Sequence, residues 1–221
     1  NISFSIIGGC NLTSSPGHFY AIKMKEGETG NLSSFEIKDA SLTNIKIDVR
    51  VEPSGLTKIR WTDIHSNGRI KIYGSYEGVF EHIRVYDFDN FDYFEVHGGS
   101  NDLDDIHVRN LRIYGTYNRV EDSEIINDVY IEGNMNGIVN STINGSIIIK
   151  GDYNEIHNNI IDCAGISTCI HAYEGDNTKI IGNTIKNAEH YGIYFDPDPD
   201  YIDYDSMEGL EIKDNTIKDI G

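Results

Sequence analysis

Proline is scarce in this chain, 4 residues in 221, and cysteine is scarcer still, with 3. With so little proline, almost every residue can donate to a backbone ladder. Three cysteines are too few for a disulfide-built scaffold. No apolar run approaches the length a bilayer crossing needs, so no membrane-spanning segment is expected. Apolar residues at helical spacing over a long stretch are also missing, which excludes a helical bundle. Basic residues number 18 against 36 acidic ones, for a formal charge of −18. Such a surface repels phosphate backbones and anionic lipid, so nucleic acid is not an expected partner. The histidines and cysteines match no zinc spacing. The chain opens Asn1-Ile-Ser-Phe, without methionine or signal peptide, which suggests a removed leader or a segment of something longer.

What the chain has is isoleucine, asparagine, 22 glycines and 14 tyrosines, arranged periodically. Ile156-His-Asn-Asn159-Ile-Ile161, Ile180-Ile-Gly-Asn183-Thr-Ile185 and Ile212-Lys-Asp-Asn215-Thr-Ile217 all read I-x-[NGD]-N-x-I. Looser copies begin at Ile7, Ile37, Ile59, Ile83, Ile106, Val120 and Ile138. A second phrase, I-x-G-x-[YM]-[NE]-x-[IV], starts at Ile72, Ile113, Ile131 and Ile149. Segments such as Ile45-Lys-Ile-Asp-Val-Arg-Val51 alternate apolar and polar with period two, the pattern of strands. Glycine then permits a positive φ, and Asn or Asp turns the corner.

A repeat of about 20 residues, unable to bury its own apolar face, implies a solenoid. Stacked coils would pair each strand in parallel with its copies and pile inward isoleucines into columns, each worth roughly 2 kcal/mol when buried. Asn159, Asn183 and Asn215 would form a column at one bend, linking side-chain amides from coil to coil. About ten coils would give a rod on the order of 45–50 Å long.

The I-x-[NGD]-N-x-I unit resembles the parallel β-helix repeat of the pectin-lyase-like superfamily. That resemblance implies an all-β fold: a right-handed, single-stranded parallel β-helix without long helices, filling residues 1–221 as one domain. Intervals of 14 to 32 residues argue against a left-handed coil of strict six-residue steps. No amphipathic capping helix is evident at either terminus. The leading functional expectation is therefore a secreted or cell-surface structural protein, self-associating head to tail through its terminal coils into a filament.

The alternative expectations concern polysaccharide. In one acidic stretch, Asp87 and Asp89, followed about one coil on by Asp104 and Asp105, are candidate acid and base groups. Arg84 and Arg109 are candidate basic partners for a lyase-like site. Galacturonan hydrolases of the same superfamily carry Gly-His-Gly, which this chain lacks. Asp196, Asp198, Asp200, Asp203 and Asp205 offer hard oxygen ligands to Ca²⁺, the one cofactor considered. The Tyr191–Asp198 stretch resembles a Tyr-Gly-Phe-Asp-Pro-His segment of mannuronan epimerase modules, with Asp198 where those have histidine. Tyr73, Tyr76, Tyr114, Tyr117 and Tyr153 recur within the glycine phrase and would suit a carbohydrate-binding flank, as in an adhesin. Covering the flank of the coil is the plainer role for them. Cys163 and Cys169 are spaced to close a small loop as a disulfide, or to serve as two small buried hydrophobes. Asn1, Asn11, Asn31, Asn140 and Asn144 head glycosylation sequons.

Overall fold

The computed structural model describes residues 2–13, 22–24, 32–43, 47–50, 58–66, 70–76, 79–85, 93–173, 175–196 and 208–221. Side chains are described for Trp61, Ile70, Phe80 and Glu81, and from Tyr93 onward within those ranges. Among the described residues every regular element is a strand, and every strand pairing is parallel. The protein is a parallel β-helix.

One sheet has nine strands, running from Ile22–Met24 through Phe94–Gly99, Leu111–Tyr114, Val129–Glu132, Ile147–Lys150 and Thr168–Tyr173 to Tyr191–Asp196. The other has sixteen strands and changes character along the rod. Its early members are long and unbroken: Ile2–Thr13, Leu32–Thr43, Lys58–Ser66 and Val79–Val85. Val79–Val85 then pairs with two short strands at once, Asp102–Asp104 along its first half and His107–Val108 along its second. From there each coil presents three faces. The break is made by Asp105, whose φ of 46° turns the chain between the two short strands. Asp122, Asn140, Asn158 and Asp214 repeat that left-handed turn on later coils. Asp and Asn tolerate this conformation because their short side chains bond locally.

These corners account for both sequence phrases. In I-x-[NGD]-N-x-I, the bracketed residue (Asn158, Gly182, Asp214) takes the left-handed φ and the next asparagine points inward. Asn159 Nδ2 donates to Asn183 Oδ1 at 3.1 Å, and Asn183 Nδ2 to Asn215 Oδ1 at 3.0 Å, so the anticipated asparagine column exists. Ser123 and Ser141 continue it towards the N-terminus, each accepting a backbone N–H from the coil before. In the glycine phrase, Gly115 and Gly133 have φ of 132° and 135°. A Cβ on Gly133 would collide with the Gly115 carbonyl, and one on Gly115 with the Gly98 carbonyl. Only glycine fits that column. Three residues further on, Asn101, Asn118, Asn136 and Asn154 form a second buried ladder, with amide contacts of 2.7 to 3.2 Å.

The inward columns are built as the alternation implies. Leu111, Val129, Ile147 and Ile170 line up on the nine-stranded sheet, and Leu103, Val120, Ile138, Ile156 and Ile180 on the facing strands, all fully buried. Towards the N-terminus the filling is aromatic, with Trp61, Phe80 and Phe94 meeting edge to face at 6.0 and 5.7 Å. Cys163 and Cys169 are buried and joined by a disulfide, with their Cα atoms 5.4 Å apart.

Candidate functional site

Along each strand of the nine-stranded sheet the side chains alternate, so the residues between the core columns stand on the outer face. Two outward columns result. One runs Glu95, Arg112, Tyr130, Ile148, His171, Tyr194, and the other His97, Tyr114, Glu132, Lys150, Tyr173, Asp196. The second column is the residue just before the glycine in the recurring phrase, as in Tyr114-Gly115 and Lys150-Gly151.

Aromatic contact is nearly continuous along this face. His97 stacks on Tyr114 with ring centroids 4.3 Å apart, and Tyr114 meets Tyr130 at 5.6 Å. The Lys150 ammonium then lies 5.8 Å from the Tyr130 ring centre and 5.5 Å from that of Tyr173. Tyr173 stacks on His171 at 3.9 Å, His171 meets Tyr194 edge-on at 5.0 Å, and Tyr194 lies 5.1 Å from Tyr191. The file crosses six strands, about 24 Å at ordinary strand spacing.

Polar groups are held against the rings. His97 Nε2 lies 2.7 Å from Glu95 Oε1, and Arg112 Nη1 is 3.9 Å from the other oxygen while its guanidinium covers the Tyr93 ring at 4.3 Å. Glu95 faces outward yet is only 4% exposed, so its charge depends on these partners. The Tyr130 hydroxyl donates to Glu132 Oε2 at 2.7 Å. Burial first, and that hydrogen bond second, push the Tyr130 hydroxyl far above the usual phenol range. His171 Nε2 is 4.0 Å from Asp196 Oδ2 and has no hydrogen-bond partner among the described residues, and burial lowers the His171 pKa against the pull of Asp196.

Of the tyrosines singled out in the sequence, Tyr114 stands in the file. Tyr73 occupies the same backbone column, in register with His97, and Tyr76 pairs with Gly99, but their side chains lie outside the described residues. Tyr117 and Tyr153 sit on the adjoining corner at φ of 60° and 57°, exposed and in line with Met135. Tyr130, Tyr173, His97 and His171 stand outside those sequence candidates, and Tyr191 and Tyr194 enter them only through the epimerase-like stretch. Their signal was the alternation itself, once the position before the glycine is taken as the outer face.

The acidic candidates Asp104 and Asp105 belong to other faces. Asp104 stands on the strand Asp102–Asp104, and burial, then Asp122 and Asp102, raise its pKa. Asp105 is at the corner, 3.6 Å from His107 Nε2, whose other ring nitrogen is 3.3 Å from Glu124. Arg109 lies half-buried beyond Val108, its carbonyl accepting the Asn127 N–H. Arg84 pairs with His107 through the backbone, and its side chain lies outside the described residues, as do Asp87 and Asp89 altogether. Of the five carboxylates considered for Ca²⁺, Asp196 is described, and Asp198, Asp200, Asp203 and Asp205 lie outside. Among the described residues no three potential ligands gather at one point. Asn140 and Asn144 are exposed; Asn11 is within Ile2–Thr13, its side chain outside the described residues, and Asn1 and Asn31 lie outside them.

No family model, no curated protein and no solved structure matches this chain.

Proposed function

We propose that the protein binds an extended glycan along the outer face of its nine-stranded sheet. The observation that carries this reading is the file of rings from His97 to Tyr191, bridged at its middle by Lys150. Sugar rings offer flat C–H faces rimmed by hydroxyls, and tyrosine or histidine rings meet the first while Glu132, Asp196 and Lys150 meet the second. A file about 24 Å long suits a chain of several sugars better than one. The resemblance of the repeat unit to that of the pectin-lyase-like superfamily supports this reading by analogy of fold alone. A secreted or cell-surface location fits too, supported by the Cys163–Cys169 disulfide.

The test is binding of the purified chain to a panel of soluble polysaccharides. Tyr114→Ala and Tyr173→Ala are expected to weaken binding at least about tenfold each, while Tyr117→Ala and Tyr153→Ala, on the corner, leave it nearly unchanged. Binding to no polysaccharide, or equal losses from all four variants, would overturn the proposal.

A further inference from the structure

The C-terminal end of the ring file differs from the rest in charge. Asp196 stands on the same outer face as Tyr194 and beside His171, with its side chain 39% exposed. Its one polar neighbour among the described residues is His171 Nε2, at 4.0 Å. Burial favours the neutral imidazole there, so the carboxylate charge is not cancelled. The stretch from Pro197 to Glu208 contributes only acidic charge in sequence, with no lysine or arginine.

We propose that this end of the file is a subsite for a protonated amine, so that the glycan bound carries free amino groups. The inference rests on the glycan-binding reading and adds the substrate class to it. Two features point the same way. The Tyr194 ring, the next outward residue of the same strand, attracts a cation by its quadrupole, as Tyr130 and Tyr173 already do the Lys150 ammonium. The Asp196 carboxylate supplies the counter-charge.

At longer range, a formal charge of −18 draws cationic polymers in and holds polyanions off. Lys150 is the opposing feature, since it would welcome a carboxylate on the next sugar along. A choice between amine and acid is therefore what the experiment must read.

The full chain is titrated calorimetrically, near pH 7 and at low salt, with oligomers of glucosamine, N-acetylglucosamine and galacturonate. The glucosamine oligomer is expected to bind about tenfold or more tighter than its N-acetylated form. Asp196→Asn should weaken the glucosamine oligomer by about that factor and the N-acetylated form much less, so that the ratio is erased, and Tyr194→Ala should lower both. Equal affinity for the amine and its acetylated form, or preference for the uronate, overturns the amine subsite and leaves the glycan reading standing. Binding of none of the three, together with failure on the wider polysaccharide panel, overturns both.

Discussion

Replacing Asn136 tests whether the buried amide ladder holds the coils together. Its Oδ1 accepts the Asn118 backbone N–H at 3.0 Å and Asn118 Nδ2 at 2.9 Å. Its Nδ2 donates to the Gly115 carbonyl at 2.9 Å and to Asn154 Oδ1 at 3.2 Å. Both Asn118 and Asn136 are 1% exposed, so water cannot take over these roles. In Asn136→Ala the Asn118 N–H loses its acceptor and Gly115 O loses a donor. Asn118 Nδ2 keeps Gly98 O, and Asn154 Oδ1 keeps the Asn136 backbone N–H. One orphaned donor and one weakened acceptor, at about 1–3 kcal/mol per buried unpaired group, give a loss of about 2–4 kcal/mol. Asn136→Asp is nearly the same shape but turns the donating end into an acceptor facing Gly115 O and Asn154 Oδ1. It also places a charge in the core, so at neutral pH it should cost more than alanine, about 3–5 kcal/mol.

The aspartate has a further signature. Ionised it is penalised and protonated it can donate again, so its folded pKa lies above the unfolded value near 3.9. Its penalty is thus full above the folded pKa and shrinks as pH falls through it. Urea unfolding of wild type, both variants and the exposed corner control Asn140→Gly supplies the ordering. Hydrogen exchange at the Asn118 amide shows whether the damage is local, since stacked repeats can open in parts. An Asn136→Asp protein as stable as Asn136→Ala at neutral pH, or an alanine variant within about 0.5 kcal/mol of wild type, would refute the reasoning.

The fold was legible because the corner chemistry is nearly digital. A left-handed residue followed by an inward amide writes itself as Asn-Asn, Gly-Asn or Asp-Asn, and that pair recurs at Asn158, Gly182 and Asp214. The second ladder was half legible. Asn118, Asn136 and Asn154 are visible in the glycine phrase, but nothing local says whether an amide turns inward or out. The outer face was harder still. A side chain there needs only to tolerate solvent, so its identity varies from His97 to Tyr114, Glu132 and Lys150 along one column. Register alone reveals that they are neighbours, and register depends on coil lengths that change from 18 residues between Asn136 and Asn154 to 32 between Asn183 and Asn215. Hence single tyrosines could be picked out, whereas the file that joins them could not.

Three further outcomes follow from the same geometry. Gly133→Ala should prevent correct folding or cost several kcal/mol, because the added methyl meets the Gly115 carbonyl and the backbone has φ of 135°; soluble yield and urea midpoint are the readouts. Thr178 takes the place after Asn154 in the second ladder and leaves its hydroxyl oxygen buried without a partner among the described residues, so Thr178→Asn should restore an acceptor there and raise stability by about 1 kcal/mol, seen as a higher thermal midpoint. His171 should titrate below the usual 6.5 when followed by proton NMR, since burial outweighs Asp196. Asp196→Asn, which deletes the one raising influence, should lower it further. The folded pKa being depressed, the histidine's contribution to stability is complete above the unfolded value near 6.5 and fades as pH falls through the folded one. A histidine that titrates above 6.5, or that rises when Asp196 is neutralised, would mean the imidazole is solvated or paired elsewhere, and the uncancelled carboxylate at the end of the ring file would lose its physical basis.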